Sequence, residues 1–132
     1  MVGQARKRTN GIRGTRLIPS EIQTQAAILE MLELDPRVVW SARMNSGATT
    51  FEDRNGKRRY VHFGFTGCPD IIGQLAGGQL LVLEVKKQGG RIRPEQRFFI
   101  DQARNAGACA GIVRSVDDAI ELIRSALKRK EN

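Results

Sequence analysis

Apolar positions recur at two different spacings along this chain, and the places where the spacing changes set out its elements. Ser20 precedes a run in which Ile22, Ala26, Leu29 and Leu32 return at helical intervals. Ser20 with Gln23 three residues on has the form of a capping box, and Asp35-Pro36 stops the run. This predicts a helix over 21–34 with those four residues as its core stripe. Val38-Val39-Trp40, flanked by Arg37 and Arg43, predicts a strand that ends at Met44-Asn45-Ser46-Gly47. Residues 48–63 are polar, with Asn55-Gly56 at their middle, a pair that favours a tight turn. Lys57-Arg58-Arg59-Tyr60 follows, so a projecting basic hairpin or loop is expected there. Residues 64–73 lead into a strand that Asp70 is expected to close. After a turn at Gly77-Gly78, residues 79–87 are apolar on both alternating faces, as in a central strand covered on two sides.

Gln88-Gly89-Gly90-Arg91 reads as a loop. Pro94 suits the first turn of a helix carrying Gln96, Phe99, Ile100 and Ala103 on one face and stopping at Gly107. Residues 108–113 form a short buried strand. Ser115 caps a last helix whose stripe is Val116, Ala119, Ile120, Ile123 and Leu127. The closing strand–helix–strand requires a parallel pair. The class is therefore α/β: a mixed sheet flanked by helices. Three segments are expected: a flexible basic arm over 1–15 with Arg6, Lys7, Arg8 and Arg13, one domain over 16–127, and a basic tail over 128–132.

Composition narrows the choice of partner. Twenty-two Lys+Arg against 14 Asp+Glu give a net charge of +8, which points to a polyanion. Two cysteines, Cys68 and Cys109, and one histidine, His62, are too few for a zinc ribbon or a disulfide scaffold. Both cysteines sit in apolar surroundings, as small buried residues of a reducing, cytoplasmic compartment do. No stretch is long and apolar enough to span a membrane, and no apolar leader core follows the basic start. Aromatic residues at 5 % are too few for the stacking platforms of single-strand RNA readers.

Candidate chemistry gathers at the central strand. Glu84 and Lys86 lie two residues apart, so in a strand they project from one face. Asp70, across a short connection, can reach the same place. Two carboxylates beside an ammonium make a site for a hard divalent cation, Mg²⁺ or Mn²⁺, with Asp70, Glu84 and the Val85 carbonyl as ligands. Lys86 can position or deprotonate a water and offset phosphate charge. Gln96 can hydrogen-bond the scissile phosphate or the nucleophile. Glu21, opening the first helix, can add a carboxylate, although Glu30 on the same helix competes for that role. Each residue also has an ordinary reading: Asp before a turn, an ion pair on a solvated strand end, an acid at a helix N-terminus. Their conjunction in a strongly basic chain favours phosphodiester chemistry.

Pro69-Asp70 followed by Glu84-Val85-Lys86 resembles the PD-(D/E)XK nuclease pattern. Ser20-Glu21-Ile22-Gln23, Arg43-Met44-Asn45-Ser46-Gly47, Gly67-Cys68-Pro69-Asp70-Ile71-Ile72-Gly73, Pro94-Glu95-Gln96-Arg97-Phe98-Phe99 and Gly107-Ala108 resemble its VRR-NUC branch, in the small stand-alone form. The resemblance implies a restriction-endonuclease-like α-β-β-β-α-β core and Mg²⁺- or Mn²⁺-dependent DNA cleavage. It implies catalytic roles for Asp70, Glu84 and Lys86, with Glu21 and Gln96 in support. Residues 48–63 are where departure from the family core is expected. The leading expectation is a structure-selective endonuclease that resolves four-way junctions by paired nicks as a homodimer. Flap, nicking or restriction-type cleavage are the alternatives within the class, and a non-catalytic DNA-binding module is the alternative outside it. Arg43, Asn45, Ser46, Lys57, Arg58, Arg59, Lys87, Arg91 and Arg93 are the expected DNA contacts.

Overall fold

The computed structural model describes residues 18–44 and 47–131. The basic arm, Asn45 and Ser46 lie outside them. Helix α1 spans Glu21–Leu34 and starts on the expected capping box: Ser20 Oγ accepts from Gln23 N at 3.1 Å, and Gln23 Oε1 accepts from Ser20 N at 3.0 Å. Strands β1 (Val38–Arg43), β4 (Ile71–Leu75), β5 (Leu80–Val85) and β6 (Cys109–Val113) form one sheet in the order β1-β4-β5-β6. The first two pairings are antiparallel and β5–β6 is parallel. Helix α2 (Pro94–Asn105) makes the crossover, and α3 (Val116–Glu131) ends the described chain. Strands β2 (Gly47–Glu52) and β3 (Arg58–Phe63) form a separate antiparallel hairpin, with Gly56 at φ +76° in its turn. The mixed sheet flanked by helices is as expected, and the hairpin is an insertion between β1 and β4.

The two faces of β5 explain the layering. Leu81, Leu83 and Val85 pack with Ile28 and Leu32 of α1 and with Ala119, Ile123 and Ala126 of α3. Val82 packs the other way, with Ile100 of α2, Ala108 and Ala110. The sheet is therefore covered on both sides, which is why β5 carries no polar residue until Glu84.

Several expectations shift. The buried stripe of α1 is Thr24, Gln25, Ile28 and Leu32, whereas Ile22 is 69 % exposed and Ala26 also faces outward. Apolar residues surround this helix almost completely, so packing against the sheet and α3 decides which of them are buried. Ile120 of α3 is likewise turned outward. Asp70 opens β4 instead of closing a strand, because β4 runs back along β5 from that point. Lys128-Arg129-Lys130 is the last part of α3, not a trailing tail, and its cations favour the negative end of the helix dipole.

Two local devices hold the ends of the sheet. Arg104 Nε and Nη2 both donate to Ala110 O, at 3.0 and 2.9 Å, along the β6 edge. Gly67, at φ +80°, lets the segment before Asp70 lie directly against α2: a Cβ there would collide with the Glu95 carbonyl oxygen and come within 3.3 Å of Phe99 Cβ. Phe65 packs on Phe99 with ring centroids 5.0 Å apart, closing the same contact. Gly67→Ala combines left-handed strain with this collision and is expected to cost about 1–3 kcal/mol. Thermal unfolding of the variant checks this, and an unchanged midpoint would show that the segment does not need the close approach.

Candidate active site

The β4–β5 register brings Asp70 to Glu84. Ile72 stands opposite Val82 and Ile71 opposite Leu83. One further step along the same antiparallel register sets Asp70 against Glu84, on the sheet face that α2 covers. Asp70 Oδ2 accepts from Val85 N at 2.8 Å, and Asp70 O accepts from Met44 N at 2.7 Å. One residue thereby fastens together the ends of β1, β4 and β5.

Glu84 is 2 % exposed and Lys86 is 9 % exposed. Lys86 Nζ lies 3.9 Å from Glu84 Oε1, so the predicted shared face is present. Gln96 Nε2 donates to the same Oε1 at 2.9 Å, while its Oε1 accepts from Arg93 N at 3.1 Å. Both ends of this amide are thus committed, and the side chain holds Glu84 instead of pointing freely toward a substrate. Glu84 Oε2 is buried with no hydrogen-bond partner. Burial, then the charge of Asp70, push the Glu84 carboxyl up to about 8, against a partial offset from Lys86. The charge of Glu21 adds a last, smaller push in the same direction. Glu30 instead lines an outer groove with Ala27, Met31, Leu34 and Ile120.

A buried, unpartnered carboxylate oxygen beside a second carboxylate is poorly satisfied by the protein alone. A hard divalent cation suits it, because every donor on offer (Asp70, Glu84 and the Val85 carbonyl) is oxygen. Among the described residues, no group of three or more His, Cys, Asp or Glu forms a ready cation site.

The other expected positions divide by location. Arg43 ends β1, one residue before the Met44–Asp70 contact, and is exposed. Lys87, Arg91 and Arg93 are exposed on the connection from β5 to α2, beside Lys86 and Gln96. Lys57, Arg58 and Arg59 lie on the hairpin, where Arg59 is drawn to Asp53 at 2.8 Å. One contributor had no mark in the sequence pattern. Arg114, just past β6, donates from Nη1 to Lys87 O at 2.7 Å and to Gly90 O at 3.0 Å, clamping the loop that follows the Glu84 strand. Its only advance signal is the parallel register, which carries Val113 to Val85 and so brings Arg114 to the end of that strand.

A family model described as VRR-NUC domain matches residues 20–117. No curated protein and no solved structure matches the chain. No helix among the described residues is long and apolar enough to cross a membrane.

The raised Glu84 carboxyl fixes a pH dependence. The folded protein keeps its proton to about pH 8, while the unfolded chain releases it near 4.5. Without a cation, native stability therefore falls as pH rises through that window. Glu84→Gln should remove the fall and, above it, stabilise the metal-free protein by about 1–3 kcal/mol. Denaturant unfolding in chelator across this range checks it. A wild-type stability that stays flat from 4.5 to 8 would place the Glu84 charge in a much wetter setting.

Proposed function

The chain belongs to the VRR-NUC family, a nuclease domain, and on that footing we propose that it is a Mg²⁺- or Mn²⁺-dependent DNA endonuclease acting on branched substrates. The observation that carries this reading is the orphaned Glu84 Oε2, buried opposite Asp70 with Lys86 at 3.9 Å from the same carboxylate.

Asp70, Glu84 and the Val85 carbonyl would hold the cation. When bound, it supplies Lewis acidity, easing loss of a proton from water and offsetting charge on the phosphate. Hydrolysis adds water across one P–O bond, leaving a phosphate monoester end and a hydroxyl end. Lys86 bears a positive charge beside the carboxylates, where it stabilises the extra negative charge that develops on the phosphate and holds the attacking water by hydrogen bond. Gln96 keeps the Glu84 carboxylate in one orientation, and Asp70 keeps its own through Val85 N. Glu21 adds negative charge near Glu84 and can accept a proton from water. Arg114 holds the Lys87–Gly90 loop and so keeps Lys86 in place. DNA lies across the catalytic end, its phosphates met by Arg43, Lys87, Arg91 and Arg93, with the hairpin cations and the basic arm further out.

Paired nicks in a four-way junction need two active sites at a fixed separation, which a two-fold homodimer provides. The apolar residues for such a contact would come from the outer helix face, where Leu34 is 78 % exposed and Ile120 stands beside it, or from the hairpin, where Phe51 is 49 % exposed. A reducing, cytoplasmic setting fits the two free cysteines, Cys68 and Cys109, both buried.

The test is a cleavage panel of four-way junction, flap, splayed arm, duplex and single strand, each with Mg²⁺, Mn²⁺ or chelator. Cleavage of the junction with either metal and none in chelator is expected. Activity in chelator, or none on any DNA, would overturn the reading. Lys86→Ala should lower the cleavage rate by at least about 100-fold while leaving DNA affinity near wild type, since a positioned charge acts mainly on the transition state. Gln96→Ala should cost less, about 10-fold, because it acts through Glu84. Light scattering on free and junction-bound protein decides the assembly: a strict monomer in both removes the paired-nick mechanism and promotes flap or nicking cleavage.

A further inference from the structure

The β2–β3 hairpin is the one described part of the chain that stands apart from the main sheet. Its strands pack principally on each other. Both of its stems leave from the catalytic end. On the entry side Met44, the last residue described before β2, donates to Asp70 O. On the exit side, Phe63 is followed by the short segment that turns at Gly64 and Gly67, packs Phe65 on Phe99, and delivers Asp70. DNA seated against Asp70, Glu84 and Lys86 therefore lies at the base of this hairpin.

The register divides the hairpin into two unlike faces. Thr50 stands opposite Tyr60 and Glu52 opposite Arg58, so these four share a face with His62. Phe51 stands opposite Arg59 on the other face, with Val61. The second face is tied down: Asp53 Oδ2 accepts from Arg59 Nε at 2.8 Å, and Asp53 Oδ1 accepts from Asn55 N and Lys57 N, each at 2.9 Å. The first face bears the more exposed ring, since Phe51 on the second face is 49 % exposed. Tyr60 is 64 % exposed, and its ring is held edge-on against His62 with centroids 4.8 Å apart. Arg58 follows at the next position on that face. Along one side of β3, at two-residue spacing, run a cation, a large exposed aromatic and a second ring that braces it. The hairpin carries Arg54, Lys57, Arg58 and Arg59 against only Glu52 and Asp53, so its field attracts phosphate.

We propose that the Tyr60–His62 face is a stacking platform for base faces left unstacked at a branch or splayed end of DNA, with Arg58 on the adjoining phosphate, and that this hairpin selects the structure of the DNA that is cut. The proposal rests on the reading of the Asp70/Glu84/Lys86 end as the DNA-cleaving site. Its logic is one of availability. In a continuous duplex both faces of each base are already stacked, and Tyr60 meets only backbone. At a branch or a splayed end a base face is free, and aromatic stacking becomes a gain that a duplex cannot offer. The carboxylates and Lys86 handle a phosphodiester that is the same in every DNA. They carry no information about branching, so the selection has to come from a neighbouring surface.

The experiment uses the full chain silenced by Asp70→Asn, so that substrate survives, and measures anisotropy with duplex, splayed-arm and single-stranded oligonucleotides. Tyr60→Ala and Tyr60→Leu should each weaken splayed-arm and single-strand binding about 5- to 100-fold, leave duplex binding within about twofold, and be reversed by Tyr60→Trp. A 2-aminopurine placed at the branch should be quenched by the Tyr60 protein and by Tyr60→Trp, and not by Tyr60→Ala. Because Tyr60 is exposed on a hairpin that packs mainly on itself, unfolding midpoints should be unchanged. Equal losses on duplex and branched DNA, or no loss on either, would overturn the platform. So would a change of oligomeric state in Tyr60→Ala, which would make this face a contact between copies. The cleavage reading is judged separately with Asp70 intact. Absence of cleavage alongside the expected binding pattern would sink the nuclease assignment and leave the platform standing, and cleavage without the pattern would do the reverse.

Discussion

Two carboxylates brought to the same end of one antiparallel ladder govern this structure. Asp70 and Glu84 are neighbours because the β4–β5 register makes them so, and the register is set by the apolar pairs Ile71–Leu83 and Ile72–Val82 further in. A slip of one residue would turn Glu84 into the α1/α3 core and a leucine or valine out to the site. The packing of the core and the geometry of the site are therefore one constraint. The energetic tension is local, with a buried acid raised to about 8 and one oxygen unpartnered. Burial elsewhere must tolerate it, since Leu81, Leu83 and Val85 on the same strand are fully buried.

Around that tension the remaining elements act as fasteners. Asp70 uses one carboxylate oxygen on Val85 N and its carbonyl on Met44 N, so the acid is also the tie between three strands. Gln96 fastens Glu84 to the first turn of α2, and Gly67 lets the approach to Asp70 lie flush against that helix. Arg114 secures the loop on the far side. Each fastener comes from a different segment, so the site exists only when the sheet and its crossover helix are both formed.

Much of this was legible in the sequence, and the rest was not for definite reasons. The capping box at Ser20 and Gln23, the two-sided apolarity of the central strand and the Asn55-Gly56 hairpin are local signals, and local physics settled them. The stripe of α1 held at Leu32 but was misjudged at Ile22 and Ala26, because Ile28 has equally good helical spacing to Leu32 and only tertiary packing chooses between them. Glu21 and Glu30 are both acids on one helix, so spacing alone could not say that Glu30 lines the outer groove. That Asp70 opens its strand requires knowing which way β4 runs. The Gln96–Glu84 bond and the Arg114 clamp are tertiary contacts with no spacing to betray them. That Glu84 and Lys86 share a face was nevertheless readable, by strand geometry alone.

The double hydrogen bond from Arg104 to the Ala110 carbonyl has a bearing on assembly. A sheet with two bare edges can recruit strands at both and grow without limit. Here β6 carries a guanidinium along its edge, fixed from the neighbouring helix, while β1 is the edge at the other side. An extra strand docking on β6 would have to displace a charged group from its carbonyl, so the fold sets its own obstacle to strand addition at that edge.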